Sequence, residues 1–492
     1  MRILFVVSDL FFSEPLGVML LSAIARKDGH QTLLVALKRQ RMATILHAFN
    51  PDVVAYSAMT AYEHMFYQAD QVVRQYQATS GRKVFRIMGG PHATFFQQVL
   101  NDMKLDAICV GEGDLLFPRL LTALETGQSL EGIPNLLLAG QTSCTKEVPE
   151  DLDAIPFPDR SLIYNADPDL QQQGIRSFMT QRGCPYRCTY CFNHSYNLLF
   201  KGPGVKLFRR RSVDNLFAEI REVRDRYPTL RYVRFGDDVF VIRPDAWLEE
   251  FTERYPKEIG IPFYCLIRCN TLTEEIGKML SHAGCRSISM SIEAGSEEIR
   301  NKVLRRHMSD EMMRSAFTVA RKYRINAFAN TILAIPGTTP KDDYNSFLFA
   351  REMKPGCPTF SIFAPYPNTH LTDYAISLGV LDPQTDFKKI STTDSSPLNN
   401  YTPEEKRFQL HLVYLGQLFC LLPDFFLKIF PLMLRLPLTP VYRLVSSLTW
   451  TWIVSSRIFP HAYPRSPLIL AKAIIRGLKF ILIPNEAGKI KE

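Results

Sequence analysis

The first third of the chain alternates short apolar runs with stretches in which apolar residues recur every three or four positions. The runs are Ile3–Val7, Thr32–Leu37, Val53–Ser57, Val84–Met88 and Ala107–Val110. Leu16–Asp28, Met42–Phe49 and Met65–Tyr76 carry the helical period, with Gly29 and Asn50-Pro51 ending the first two. Strands alternating with helices predict a parallel sheet wound on both faces, which binds its ligand beyond the carboxyl ends of the strands. Those ends are Ser8–Phe11, Ser57–Thr60, Gly89–Thr94 and Gly111–Asp114, rich in glycine and hydroxyls. Glycine there lets a backbone come close to a large ligand. Neither G-x-G-x-x-G nor G-x-x-x-x-G-K-[ST] is present, which weakens a nucleotide reading.

Between residues 125 and 175 the pattern fades, and Pro134, Pro149, Pro156, Pro158 and Pro168 point to a linker with some short structure. The strand–helix rhythm then resumes. Arg176–Thr180, Tyr232–Phe235, Phe263–Ile267, Ser287–Ile292 and Ala327–Leu333 read as strands, and Val213–Tyr227, Ala246–Arg254, Glu274–Ala283 and Met312–Tyr323 as helices. Gly236-Asp237-Asp238, Arg268-Cys269-Asn270, Glu293-Ala294-Gly295-Ser296 and Ile335-Pro336-Gly337 follow the strands. Repeated βα units with such residues after each strand predict a barrel, or part of one, with its site at the carboxyl-terminal face.

Straight after the strand Arg176–Thr180 comes Cys184-x₃-Cys188-x₂-Cys191, with Tyr190 ahead of the third cysteine. Three thiolates on one tight loop can ligate three irons of a 4Fe–4S cubane and leave the fourth open to a small molecule. A zinc site wants four Cys or His ligands, and His194 could complete one, but the barrel context favours the cluster. The other seven cysteines have no second cluster spacing. Cys265 and Cys269 straddle a strand end, so Cys269 could face the site, though ordinary buried cysteine is the favoured reading.

Composition changes the picture only at the end of the chain. The 492 residues are 46% hydrophobic and carry a net charge of +9. Residues 401–492 hold 12 Lys and Arg against 5 Asp and Glu, so the positive excess belongs to the tail. Its apolar stretches, Leu412–Leu422, Phe425–Leu436 and Leu444–Val454, are broken by Pro423, Pro431 and Pro437 and by charges, which argues against a membrane-spanning helix. Ser466–Ile483 is amphipathic, with Lys472, Arg476 and Lys479 on one face. Two readings stand side by side: peripheral contact with the inner face of a membrane, or a helical cap on the barrel mouth. Basic residues interleaved with leucines match no nucleic-acid module. The first residues form a strand instead of a signal peptide, so the default location is cytoplasmic.

These motifs carry a resemblance. Pro15-Leu16-Gly17, Gly29-His30, Pro51-Asp52-Val53, Gly89-Gly90-Pro91-His92-Ala93-Thr94 and Gly111-Glu112-Gly113-Asp114 resemble the cobalamin-binding domain that precedes many radical S-adenosylmethionine enzymes. The cysteine array and the strand ends behind it resemble the radical S-adenosylmethionine barrel itself. The resemblance implies an α/β chain: a doubly wound cobalamin-binding domain at 1–145, a linker at 146–174, a partial (β/α)6 barrel at 175–390 and a mostly helical, basic and apolar region at 391–492. It implies Cys184, Cys188 and Cys191 as cluster ligands. Tyr190, Gly236, Asp237, Asp238, Arg268 and Glu293 would surround S-adenosylmethionine, with Arg268 pairing its carboxylate. Ser57, Thr60, Gly89, Gly90, Pro91, His92, Gly111 and Glu112 would line cobalamin. The chain departs from the cobalamin mutases in lacking D-x-H-x-x-G, so no protein histidine is expected on the cobalt; His30 reads as a surface residue, and His92 as either a pocket or a capping residue.

The activity so implied is C-methylation of an unactivated carbon in a small or lipid-like substrate. A 5′-deoxyadenosyl radical would take a substrate hydrogen and methylcobalamin would give its methyl group, with a flavodoxin or ferredoxin as reductant. An anaerobic oxidative cyclase using the same cofactors is the alternative, and a non-catalytic cobalamin or redox sensor is the third.

Overall fold

A computed structural model describes residues 1–10, 14–202, 205–385 and 391–460, with Ile475 and Ile490. Apart from Ile475, the amphipathic stretch Ser466–Ile483 lies outside the described residues. The chain divides into two compact units: Met1–Gln172 with Leu198–Arg211, and Gln173–Asn197 with the described residues from Ser212 to Pro460.

The first unit is built on strands β1 (Arg2–Val7), β2 (Gln31–Ala36), β3 (Val53–Ser57), β4 (Phe85–Gly89), β5 (Ala107–Cys109) and β6 (Leu136–Leu138). Their order is β2-β1-β3-β4-β5-β6, parallel throughout except for β6. The chain steps outward from β1 to β2 and returns to β3 on the other side, so the strand order reverses between β1 and β3. At such a switch a crevice opens above the carboxyl ends. Register sets Ser57 beside Gly89 there. Both faces of β1 are buried. Leu4 and Val6 join Met42, Met65 and Phe66 in one core, while Phe5 meets Phe117 on the other face at 5.7 Å.

The proline-rich stretch is more ordered than its sequence predicts. β6 closes the sheet edge, and helix Arg160–Ala166 returns to the β2 side. Asp159 caps that helix by accepting from the Ser161 N–H, and takes the Ser22 hydroxyl at 2.8 Å. Arg160 reaches Glu14 at 2.7 Å, with both side chains nearly water-free.

The second unit holds β7 (Ile175–Phe178), β8 (Tyr232–Phe235), β9 (Phe263–Leu266), β10 (Cys285–Ser289), β11 (Asn326–Leu333) and β12 (Cys357–Ile362). All are parallel and lie in sequence order, the arrangement of a partial (β/α)6 barrel with β7 and β12 as its edges. β12 was not read from the sequence, because Pro358 cannot donate to a ladder and marks an edge strand at most. Phe235 packs between Phe240 at 5.0 Å and Phe263 at 5.4 Å, anchoring β8 in an aromatic core.

The β12 edge is covered by later chain. Helix Pro403–Phe419 lies across it, and Gln417 Nε2 donates to the Pro358 carbonyl at 2.9 Å. The Ile362 N–H donates to the Thr392 carbonyl at 2.7 Å. Gly416 sits so close to Phe360 that a Cβ there would fall 2.7 Å from the ring. Helix Thr439–Ile453 packs in turn on Pro403–Phe419.

Candidate active site

The cysteine loop leaves β7 through Thr180 and Gln181, whose backbone N–H groups donate to Asp237 Oδ1 at 2.7 and 2.9 Å. Gly183 turns the chain with φ +87, a conformation other residues rarely adopt. Beyond it the loop is held at several points. Asn197 Nδ2 donates to the Cys184 carbonyl at 2.8 Å, and Thr189 Oγ1 donates to the Val303 carbonyl at 2.8 Å. Burial pushes the Cys184 thiol up to about 11 and the Cys191 thiol up to about 12, so each prefers to be neutral until a metal displaces its proton. Among the described residues no three such side chains close on one point at single-ion distance. His194 lies against His370, with ring centroids 4.8 Å apart.

Three side chains meet beside this loop. Tyr190 Oη donates to Glu293 Oε1 at 2.9 Å, and the Arg306 guanidinium reaches the same phenol at 2.5 Å and the same carboxylate at 3.2 Å. Glu293 and Arg306 are nearly fully buried, and Tyr190 is partly so. Burial holds the Tyr190 phenol well above its usual range; the Arg306 charge opposes that rise and the Glu293 charge adds to it. Glu293 occupies the left-handed region at φ +66, a strain of about 1–3 kcal/mol that functional sites often retain. Arg305 and His307, at φ +52 and +56, flank Arg306. Arg300 clamps this segment, donating to the Ala294 carbonyl at 2.8 Å and the Met308 carbonyl at 3.0 Å and pairing with Asp310. Arg306 Nε is buried without a hydrogen-bond partner among the described residues. No motif marks Arg306 in the sequence; its place depends on the Arg300 clamp.

Two of the expected roles change. Asp237 is fully buried and accepts from Thr180 and Gln181, so it joins the ends of β7 and β8 and does not face a ligand. Burial pushes its carboxyl up to about 7, against the pull of those hydrogen bonds. Its neighbour Asp238 is accessible, yet walled by enough protein to raise its pKa, and its charge is felt at Cys184 and Cys191. Arg268 was expected to pair with the carboxylate of S-adenosylmethionine, but its nitrogens are already engaged: one with Cys188 Sγ at 3.1 Å, one with the Arg306 carbonyl at 2.9 Å and one with Asn270 at 3.2 Å. Its guanidinium also lies over the Tyr186 ring at 3.7 Å. The structure therefore sets a cation directly on a cluster thiol. Gly236 is half-buried, donating its N–H to the Phe178 carbonyl at 2.8 Å.

The rim of the first unit is built differently. Ser57, Thr60, Gly89 and Gly90 are partly open, while Met59, at 58% exposure, and Pro91 stand out from the ends of β3 and β4. Gly90 has φ +90, and a Cβ there would lie 2.8 Å from the Ala58 carbonyl. His92 lines no opening: it is buried, its Nδ1 lies 3.3 Å from Glu63 Oε2, and its ring stacks on Phe96. Gly111 lies beneath Phe200, whose ring is 2.1 Å from where a Cβ would stand. Glu112 is gripped by Arg209 at 2.5 and 3.1 Å. Gly111 and Glu112 thus belong to a closed side of the rim, and the open part lies over β3 and β4. His30 is also buried, 3.0 Å from the terminal amine at the opposite end of the sheet.

The sequence matches the radical SAM superfamily over residues 178–349 and the B12 binding domain over residues 4–121. The chain is a B12-binding radical SAM enzyme. An uncharacterised methyltransferase of Pyrococcus horikoshii is 27% identical over 84% of this chain and 89% of its own length. Cytidylyl-2-hydroxyethylphosphonate methyltransferase of Streptomyces wedmorensis is 24% identical over 73% of each chain. In fold, the cobalamin-dependent radical enzyme OxsB superposes with a TM-score of 0.68 at 14% identity, over 98% of this chain and 84% of that one. The cofactors of this B12-binding radical SAM enzyme are a 4Fe–4S cluster, S-adenosylmethionine and cobalamin. The residues fit them. Three thiols on one loop suit the cluster, the accessible Asp238 and the unpartnered Arg306 Nε suit a polar ligand beside it, and the open backbone rim over β3 and β4 suits a large flat one.

Proposed function

We propose that this enzyme transfers a methyl group to an unactivated carbon of a small or lipid-like substrate. The reading rests on one observation: a B12-binding domain and a radical SAM domain share one chain, as expected of a methyl donor used together with a radical generator. Two relatives named as methyltransferases support it.

When bound, the cofactors supply a carbon-centred radical and a transferable methyl group. The chain's own residues hold and orient them. Cys184, Cys188 and Cys191 hold the cluster, and Arg268 donates to the Cys188 sulfur, which lowers the charge carried there. Asp238, exposed beside the cysteine loop, would accept from the ammonium end of S-adenosylmethionine. Glu293, fixed by Tyr190 and Arg306, presents a set carboxylate beyond the end of β10. Ser57, Thr60, Gly89 and Gly90 seat cobalamin through backbone and hydroxyl contacts.

The test is anaerobic reconstitution with iron, sulfide and cobalamin, followed by incubation with extract metabolites from a strain lacking the enzyme. We expect 5′-deoxyadenosine and S-adenosylhomocysteine to form together, with a product heavier than its precursor by one CH₂. A product two hydrogens lighter, without S-adenosylhomocysteine, would replace methylation by oxidative cyclisation. Absence of 5′-deoxyadenosine from a fully loaded enzyme would end the catalytic reading.

A further inference from the structure

The segment after helix Pro403–Phe419 is apolar on both of its sides. One side is anchored in the protein: Phe430 stacks on Phe419 at 4.0 Å, and Leu434, Tyr442 and Ile453 are buried. The other side faces outward. Helix Thr439–Ile453 presents Val441, Leu444, Leu448 and Trp452, spaced three or four residues apart on one stripe. The preceding turns present Phe425, Ile429, Leu432 and Leu436 with the same spacing. Every one of these eight is at least 38% exposed. A helix with apolar residues on two of its sides needs an apolar neighbour for each, and the protein supplies one.

The charges say what the other neighbour is. From Phe425 to Asn485 the sequence contains no Asp or Glu and eight Lys or Arg. Lys428 and Arg435 are exposed among the apolar residues, and the last acidic side chain before the segment, Asp424, is drawn to Arg351 at 2.6 Å. A second copy of this face would set Lys428 and Arg435 against like charges, with no acid between Phe425 and Asn485 to answer them. Leucines for the acyl boundary, tryptophans at the helix end and basic side chains without acids are the make-up of an interfacial helix on an anionic bilayer. No helix among the described residues is long and apolar enough to cross a membrane, and Thr439–Ile453 is about 22 Å long at 1.5 Å per residue, suited to lying flat.

We propose that residues 425–452 dock this enzyme on the surface of an anionic lipid bilayer, with Val441, Leu444, Leu448 and Trp452 entering the acyl boundary and Lys428 and Arg435 meeting the headgroups. This is independent of the methyl-transfer reading, because binding needs no turnover.

The test is co-sedimentation of the full-length reconstituted enzyme with vesicles of phosphatidylcholine alone or mixed with phosphatidylglycerol. Wild type should bind the mixed vesicles at least tenfold better than the neutral ones, with the gain lost at high salt. The double variant Leu444→Glu/Leu448→Glu should lose at least tenfold in binding to the mixed vesicles while keeping its cluster absorbance and melting temperature. Lys428→Glu/Arg435→Glu should lose only the anionic preference. If the Leu444→Glu/Leu448→Glu substitutions disturb the fold, this second pair decides, since both its side chains are exposed. Wild type that stays in the supernatant overturns the proposal, as does undiminished binding by both variant pairs. So does a concentration-dependent dimer that Leu444→Glu/Leu448→Glu dissolves without any vesicle binding by wild type.

Discussion

The two strand-end rims of this enzyme solve the same task by opposite means. At the barrel rim charged side chains gather beside the cysteine loop: the exposed Asp238 near the cysteines, Arg268 on Cys188, and Glu293 locked to Tyr190 and Arg306. At the rim of the first unit the charges are turned away from the opening. Glu112 holds Arg209, Asp9 holds Arg39, and Glu63 lies against His92, leaving backbone and small side chains exposed over β3 and β4. A small zwitterionic cofactor is recognised by charge. A large macrocycle is recognised by how closely a backbone can approach it, and stray charges there would only be desolvated.

The comparison fails most visibly if the thiols are dispensable. Replacing Cys184, Cys188 and Cys191 together by Ala should remove the cluster's visible absorbance and all 5′-deoxyadenosine formation while leaving cobalamin bound to the first unit. Next comes charge at the barrel rim. Glu293→Gln keeps the shape but leaves Arg306 buried without its counter-ion, and should slow 5′-deoxyadenosine release about a hundredfold, equivalent to about 2.7 kcal/mol. An unchanged rate would mean that this rim does not work through charge. The backbone rim is probed by Gly90→Ala, whose methyl would press on the Ala58 carbonyl; cobalamin content after reconstitution should fall about tenfold, with iron content unchanged.

The smallest effect concerns pH. The folded-state pKa of Asp237, about 7, lies above its unfolded value, so the folded protein holds the extra proton. Stability from this group is therefore present in acid, declines as pH rises towards 7 and is level above it. Melting temperatures of Asp237→Asn should decline less than those of wild type between pH 6 and 7.5, by a few degrees at most.

How much of this was legible depended on how local each feature is. The cluster loop was readable because its three ligands lie within eight residues and straight after a strand. Glu293 was readable as a strand-end carboxylate. Asp237 and Asp238 were not separable, since adjacent residues at a strand end point to opposite sides and only the Thr180 and Gln181 N–H groups show which side is inward. Glu112 looked like a rim residue because its partner, Arg209, is 97 positions away. Arg306 had no marker, as its position comes from the fold of residues 300–310. The helical periods of the first unit placed three of its helices, with Met42–Phe49 matched end to end, but not Leu116–Thr126. The edge strand Cys357–Ile362 was hidden by its proline.

That edge strand also bears on handling the enzyme. A barrel of six parallel strands that does not close leaves β12 with a row of unpaired backbone groups, the usual template for aggregation. Gln417 and the Thr392 carbonyl occupy two of those groups, and helix Pro403–Phe419 shields the row. A chain shortened before residue 391 would retain every proposed cofactor contact and yet be expected to precipitate on expression, because the cover over this edge would be gone.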